Sequence, residues 1–375
     1  MIRSVPSLLL LTAALLPAAL APGVLLPTAE AAPPPTGRAK RILSPASFPG
    51  WQTHNVAFPS VVLDSAGRYR MFYAGSPAAS INASTWEQWA TLTAVSRDGV
   101  AWTLPDEYDP ILIPHRFREG EVGDPAKLAA RFDSVAAFGA SALRDPSGYR
   151  LWYTGWSGAR ERISPGVSRE VGFAIGLATS KDGVTWTRQP GPARAAAVLA
   201  PGATGEADAM GAAQPSVLRD GDGLKMWYEC LAGARSRICS ATSADGVAWV
   251  KEGVALDVGA DAAGDALGLR NPVVVRRGPA YEMWYQGEGA VAPRYRVLRA
   301  RSTDGRTWTR QAGEASLHAD PPVGADERIH VDTVIPLPDG GSRVYFAREV
   351  TANRPTPYAT VTTRRYHIYT GVVGP

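Results

Sequence analysis

The 375-residue sequence predicts an all-β chain folded as a five-bladed β-propeller of four-stranded antiparallel blades. Three observations predict it. A phrase of alternating polar and bulky residues recurs as "YRMFYAG" from Tyr69, "YRLWYTG" from Tyr149, "LKMWYEC" from Leu224 and "YEMWYQG" from Tyr281, with a weaker copy, "SRVYFAR", from Ser342. A second phrase, Ser-x-Asp-Gly-x-x-Trp, follows four of these copies, at Ser96, Ser180, Ser243 and Ser302. No stretch carries a convincing helical period. A unit copied at intervals of roughly 60 to 80 residues, unable to bury its apolar face alone, is the signature of a repeat architecture.

Residues 1–31 read as a secretory signal peptide. Arg3 supplies the charged start, Leu8 to Leu20 the apolar stretch and Ala29-Glu30-Ala31 a small-residue cleavage site. Residues 32–43, with Pro33-Pro34-Pro35, read as an extended lead-in, and 44–375 as the propeller. The expected location is therefore outside the cytoplasm: secreted, extracellular or periplasmic.

Each unit opens on a short apolar run: "PSVVL" at Pro59, "ASALR" at Ala140, "PSVLR" at Pro215, "PVVVR" at Pro272 and "TVIPL" at Thr333. A turn rich in Asp and Gly follows, since those residues tolerate the backbone that tight hairpins need. The aromatic phrase is the second strand, apolar at period two as a half-buried strand requires. A third strand leads into the Asp-Gly turn, and the Trp opens the fourth. The fifth unit lacks that turn, and "YATVTT" and "YHIYTG" are expected to supply two strands there. A sandwich is the rival fold, but it gives no reason to repeat the same Trp and Asp-Gly in each copy.

Formal charge is +4, spread along the chain without a basic block, which argues against a nucleic-acid partner. No later segment approaches the roughly 20 apolar residues of a membrane span, so no membrane partner is expected either. A monomer is expected. Cys230 and Cys239 close one strand and open the next, facing each other across a hairpin. In an exported protein they are read as a structural disulfide, with two buried thiols as the alternative. Asp133, Asp208, Asp265 and Asp326 each stand six residues before the start of an innermost strand. A carboxylate repeated in nearly every blade is read as a blade-joining hydrogen-bond acceptor, with a catalytic role as the alternative.

The two recurring phrases resemble those of the five-bladed propeller glycosidases: the arabinanases and xylosidases of glycoside hydrolase family 43, and the related invertases and levansucrases. The resemblance covers the whole mature chain. It implies three carboxylates at the innermost strand starts, facing a funnel: a nucleophile or base in the first blade, a supporting Asp in the second and a Glu acid from a later blade. At the matching positions this chain carries Phe58, Gly139 and the pair Ala213-Gln214, so none of the three implied carboxylates is present.

The remaining polar groups at strand starts and second-strand ends supply the candidate site. Asp332 is the acidic residue at a matching slot, in the fifth blade, and Glu229 departs from its repeat equivalents Ala74, Thr154, Gln286 and Ala347. These two are the expected catalytic pair. His54, Gln214, Arg270, Asn271, His330 and Gln286 are expected to bind substrate, with Trp51 and Trp156 as a sugar-stacking platform. No metal-ligand spacing is present and no cofactor is expected, a structural Ca²⁺ in the central channel being left open. Asn82-Ala83-Ser84 is a glycosylation sequon, relevant only in a eukaryotic secretory route. The expected function is a glycoside hydrolase acting on an oligo- or polysaccharide. The alternative is a non-catalytic carbohydrate-binding or protein-interaction propeller.

Overall fold

The computed structural model describes residues 39–45, 54–64, 66–77, 88–104, 110–114, 131–164, 167–170, 172–233, 235–260, 263–313, 315, 317, 324, 327–355 and 360–374. The expected signal peptide at 1–31, Trp51, the sequon at Asn82 and Asp326 lie outside them.

Five four-stranded antiparallel sheets make up the fold, each with its first strand innermost. Blade one is β2 (Asn55–Leu63), β3 (Tyr69–Ser76), β4 (Ala90–Ser96) and β5 (Trp102–Thr103). In blade two, β6 (Ala136–Asp145) and β7 (Gly148–Trp156) are joined to β10 (Ala174–Ser180) and β11 (Thr187–Gln189) across a separate small hairpin, β8 (Arg160–Ser164) and β9 (Val167–Glu170). Blade three is β12 (Gly211–Asp220), β13 (Gly223–Ala232), β14 (Arg235–Ser243) and β15 (Val250–Leu256). Blade four is β16 (Gly268–Arg277), β17 (Ala280–Glu288), β18 (Tyr295–Ser302) and β19 (Thr309–Arg310). Blade five is β20 (Ile329–Pro336), β21 (Ser342–Pro355), β22 (Thr360–Val373) and, from the other end of the chain, β1 (Lys40–Leu43).

Blade five departs from the expectation in two ways. The described part of the first, "TVTT", and "YHIYTG" fall on one long strand, β22, rather than two. The fourth strand is β1, which pairs antiparallel to β22, so the sheet begins at Lys40, ahead of the boundary placed at 44. The ring is thus fastened by pairing the first strand of the chain with the last. β1 thereby covers the outer edge of β22 and is itself the outermost strand of the sheet. Among the described residues no helix is long and apolar enough to cross a membrane.

Consecutive innermost strands touch, and β20 returns to β2, closing the ring. The apolar core is divided among layers between blades. Trp152 and Ile175 of blade two pack with Val217 and Met226 of blade three, and Trp227 of blade three packs with Tyr281 and Met283 of blade four.

These layers explain why the two phrases repeat together. The second-strand aromatic of one blade reaches the Asp-Gly turn of the next: Trp152 Nε1 donates to Gly246 O (2.8 Å), Trp227 Nε1 to Gly305 O (2.9 Å) and the Tyr345 hydroxyl to Gly99 O (3.0 Å). The basic residue two positions earlier makes a parallel contact. Arg70, Arg150, Lys225 and Arg343 donate to carbonyls at Gly183, Asp245, Asp304 and Asp98. Blade four has Glu282 at that position because blade five lacks the turn. Glu282 instead accepts from Trp284 Nε1 (2.6 Å) and pairs with Arg277 and Arg301. Gly246 adopts φ 84°, and a Cβ there would come within 2.7 Å of the Trp152 ring, so this turn requires glycine.

A second set of ties encircles the axis. Ala142 N donates to Ser60 Oγ (3.0 Å), Val217 N to Ser141 Oγ (2.9 Å), Val274 N to Ser216 Oγ (2.9 Å) and Val61 N to Thr333 Oγ1 (3.0 Å). Blade four carries Val273 at that place and makes no such tie. Inside lies a channel of about 230 Å³, lined by all five innermost strands.

Asp133, Asp208 and Asp265 are structural, but they join strands within a blade rather than blade to blade. Each accepts from a tyrosine twenty residues on and from a base on the fourth strand. The partners are Tyr153 and Arg188 in blade two (2.9 and 2.7 Å), Tyr228 and Lys251 in blade three (2.9 and 2.6 Å), and Tyr285 and Arg310 in blade four (2.9 and 2.9 Å). With both charge and hydroxyl answered in the interior, these carboxylates have the partners that burial demands.

Candidate functional site

The innermost strands begin, and the second strands end, at one face of the ring. Each innermost strand is interrupted there by a bulge: at Phe58-Pro59, Gly139-Ala140, Gln214-Pro215, Asn271-Pro272 and, by a single residue, Asp332. Three of the five bulges contain Pro, which has no N–H to give the ladder. The residue opening each two-residue bulge has a left-handed backbone, with φ of 56° at Phe58, 56° at Gly139, 51° at Gln214 and 50° at Asn271. Gly and Asn accept this readily. Phe58 and Gln214 do so at a cost of about 1–3 kcal/mol each. The slots where the resemblance implied carboxylates are therefore distinct backbone sites, here filled by an aromatic ring, a glycine and an amide. A Cβ on Gly139 would collide with the Gln214 side chain, so the two slots are matched.

The face divides into two sectors. Blades one and two contribute rings. Phe58 lies 5.6 Å from Trp89 and 5.5 Å from Phe138, and Trp156 stacks on Phe173 at 5.8 Å. Trp156 is fully buried and its Nε1 donates to Ala159 O, so it has no face with which to stack a sugar. That corrects the part of the expected platform assigned to Trp156. The cause is packing against Phe173, which nothing in the local pattern around Trp156 announces.

Blades three to five contribute charge. Arg270 Nη1 lies 2.9 Å from Glu229 Oε1, and Arg270 Nε lies 3.7 Å from Glu288 Oε2. Arg294 donates to Glu288 Oε1 from Nε (3.0 Å) and Nη2 (2.6 Å). The Tyr295 ring is flanked by the guanidinium groups of Arg294 (5.7 Å) and Arg328 (5.4 Å). Burial raises the Glu229 carboxyl above the ordinary carboxylate range. Arg270, Arg328 and His330 pull it down, and Glu288 adds to the rise.

His330 joins the two sectors. Its ring stacks on Phe58 at 4.8 Å, and its Nδ1 lies 2.8 Å from Asp332 Oδ1. Asp332 Oδ2 accepts from Ala347 N (3.1 Å), so both carboxyl oxygens are engaged. Burial raises the Asp332 carboxyl, opposed by His330 and the Ala347 N–H.

The structure sorts the expected substrate-binding residues into three groups. Arg270 and His54 retain solvent exposure, with burial and then Arg365 lowering the His54 pKa. Gln214 and Asn271 line the central channel, as Asp332 does. Gln286 and His330 are interior: Gln286 Nε2 donates to Ile329 O (2.7 Å), tying blade four to blade five, and His330 lies under Phe58. Both are engaged by the protein itself, Gln286 in the tie between blades and His330 by Phe58 and Asp332. Arg294, Tyr295 and Arg328 were not singled out from the sequence. The available signal was positional, because a third strand starts at the same face where a second strand ends, as the pairing of Glu288 with Tyr295 shows.

The Cys230–Cys239 disulfide is formed and fully buried, spanning β13 and β14 beside Glu229. Among the described residues no group of three or more His, Cys, Asp or Glu side chains is arranged to hold a metal ion.

No protein-family profile matches the chain. It is 27% identical over 282 residues to the uncharacterized protein Rv1502 of Mycobacterium tuberculosis, covering 73% of this chain and 81% of that one. Among solved structures it is similar to a glycosyl hydrolase from Bacteroides ovatus (14% identity, TM-score 0.59, covering 91% and 94% of the two chains). It is also similar to Zg3597, a family 117 glycoside hydrolase of Zobellia galactanivorans (13%, 0.56, 89% and 90%). The Bombyx mori GH32 beta-fructofuranosidase BmSUC1 shares 17% identity at a TM-score of 0.56, over 84% of this chain and 58% of that chain. At these identities the likeness is one of fold: a five-bladed propeller shared with glycoside hydrolases.

Proposed function

We propose that this protein is an exported, carbohydrate-active propeller of the glycoside hydrolase type, with Glu229 as its general acid. The observation that carries the reading is the position of Glu229. It is a buried carboxyl at a second-strand end of the open face, where its repeat equivalents are Ala74, Thr154, Gln286 and Ala347, and burial biases it toward the protonated form. A general acid must hold a proton near the working pH and deliver it to the leaving glycosidic oxygen. Asp332, at the fifth bulge, is the candidate for the second carboxylate, facing the anomeric centre and oriented by His330 and the Ala347 N–H. Arg270 orients the sugar, since a guanidinium donates but does not titrate in this range.

Hydrolysis of aryl glycosides alongside a glycan-binding screen tests this. Glu229→Gln and Asp332→Asn should each lower kcat by about 10²–10⁴-fold while leaving binding in place. Wild-type activity should fall as pH rises through the raised Glu229 pKa and the acid loses its proton. Turnover unchanged in both variants removes this pair from the mechanism.

A second reading has its own support. The bulge slots hold Phe58, Gly139 and Gln214, and both Asp332 oxygens are already engaged. A binding propeller without catalysis fits those facts, and glycan capture with no turnover in the wild type establishes it.

A further inference from the structure

We propose that the charged sector of the open face recognises its glycan through an anionic group, a carboxylate or a sulfate, held by Arg270 and Arg294. This rests on the carbohydrate reading above and names the substrate class. The argument begins with how charge is layered. The Arg270 and Arg294 side chains are 39% and 50% exposed, whereas their partners Glu229 and Glu288 are 6% and 11% exposed. The anions lie beneath and the cations face outward.

That layering decides what can bind. A neutral sugar presents hydroxyls, each both donor and acceptor, and a site for it must offer acceptors as well as donors. Here the carboxylates that would accept are buried and already occupied by arginine. The exposed layer consists of guanidinium groups, which only donate and which match carboxylate and sulfate oxygens in paired fashion. The Arg270 head is also fixed in advance, Nη1 by Glu229 at 2.9 Å and Nε by Glu288 at 3.7 Å, so little side-chain freedom remains to be lost on binding. Arg294 is held by Glu288 and lies against the Tyr295 ring, whose other neighbour is Arg328. The arginines Arg270, Arg294 and Arg328 face the glutamates Glu229, Glu288 and Glu349. The three positive and three negative groups balance formally, so what an incoming ligand meets is set by the layering, with the Arg270 and Arg294 heads outward and Glu229 and Glu288 beneath.

Binding to oligomers of galacturonic acid, of sulfated galactose and of neutral galactose is to be compared by calorimetry, with wild type, Arg270→Gln and Arg294→Gln. One or both acidic oligomers should bind about tenfold or more tightly than the neutral one, and the preference should shrink in each variant. Wild-type affinity should also fall as sodium chloride rises from about 0.05 to about 0.5 M. The arm that binds, carboxylate or sulfate, identifies the anion. Equal binding of neutral and acidic oligomers at all salt concentrations overturns the inference and leaves the carbohydrate reading standing. Binding of none of the three overturns both. Arg270→Gln leaves Glu229 buried without its partner and is the variant at risk of misfolding. Arg294→Gln and the wild-type salt series carry the test without it.

Discussion

Replacing Asp265 by Asn separates the structural reading of the recurring aspartates from a catalytic one. Asp265 is fully buried. It accepts from the Tyr285 hydroxyl and Arg310 Nε through Oδ2, each at 2.9 Å, and from Gly259 N through Oδ1 at 3.1 Å. An asparagine keeps the shape but offers one acceptor oxygen, and its amide then points at a donor. Removing one partner of a buried ion pair costs about 3–5 kcal/mol. Arg310 is 30% exposed and recovers part of its hydration, which brings the expected loss to about 2–3 kcal/mol. Tyr285→Phe deletes one hydrogen bond to a charged acceptor and should cost about 1–2 kcal/mol. The double variant should lose less than the sum, since both changes act on one carboxylate. Equilibrium urea unfolding measures each loss as a shift in midpoint at constant slope, and glycan binding in the same variants should be unchanged under native conditions. A stability loss below about 1 kcal/mol together with abolished turnover would overturn the structural assignment of Asp265, and of Asp133 and Asp208 with it.

Trp227→Phe removes the indole N–H that donates to Gly305 O at 2.9 Å and should cost about 1–2 kcal/mol in thermal or urea unfolding. Trp284→Phe should release the buried Glu282 from its partner and leave Arg277 and Arg301 to hold it, an effect of similar size. The Asp-Gly turns predict acid sensitivity. Backbone N–H groups of Val184 and Thr185 hold the Asp182 carboxyl at about 2, and Asp98, Asp245 and Asp304 are lowered in the same way. A lowered folded-state pKa gives stability that is present above the ordinary carboxylate value and lost as pH falls, here between about 4 and about 2, measurable as a falling urea midpoint. Cys230→Ala with Cys239→Ala opens a disulfide of sequence separation 9 and should cost about 2–3 kcal/mol by unfolding, less if strand pairing persists in the unfolded chain.

Most of the fold was legible because it is written in repeats. A phrase fixes strand periodicity, an Asp-Gly turn fixes reversal, and each copy independently confirms the others. Blade five was misjudged for a physical reason. Its fourth strand comes from the opposite end of the chain, and pairing between β1 and β22 leaves no local signature across more than 300 intervening residues. The site was less legible. Glu229 was visible as a departure from the repeat, and Arg270 as a polar residue at an innermost strand start. Trp156 was misread because exposure depends on what packs over a ring, here Phe173, and the sequence around Trp156 does not specify it.

The amino-acid order by itself determined the blade: its strand periods, its turns and the cross-strand disulfide. These follow from short-range patterning and from one unit meeting its own copy. Tertiary structure alone decided which polar groups of that open face remain in water. Gln286 and His330 were drawn inside while Arg270 and Arg294 were left outward over buried glutamates, because burial and charge pairing are settled by neighbours that ring closure brings together from distant blades.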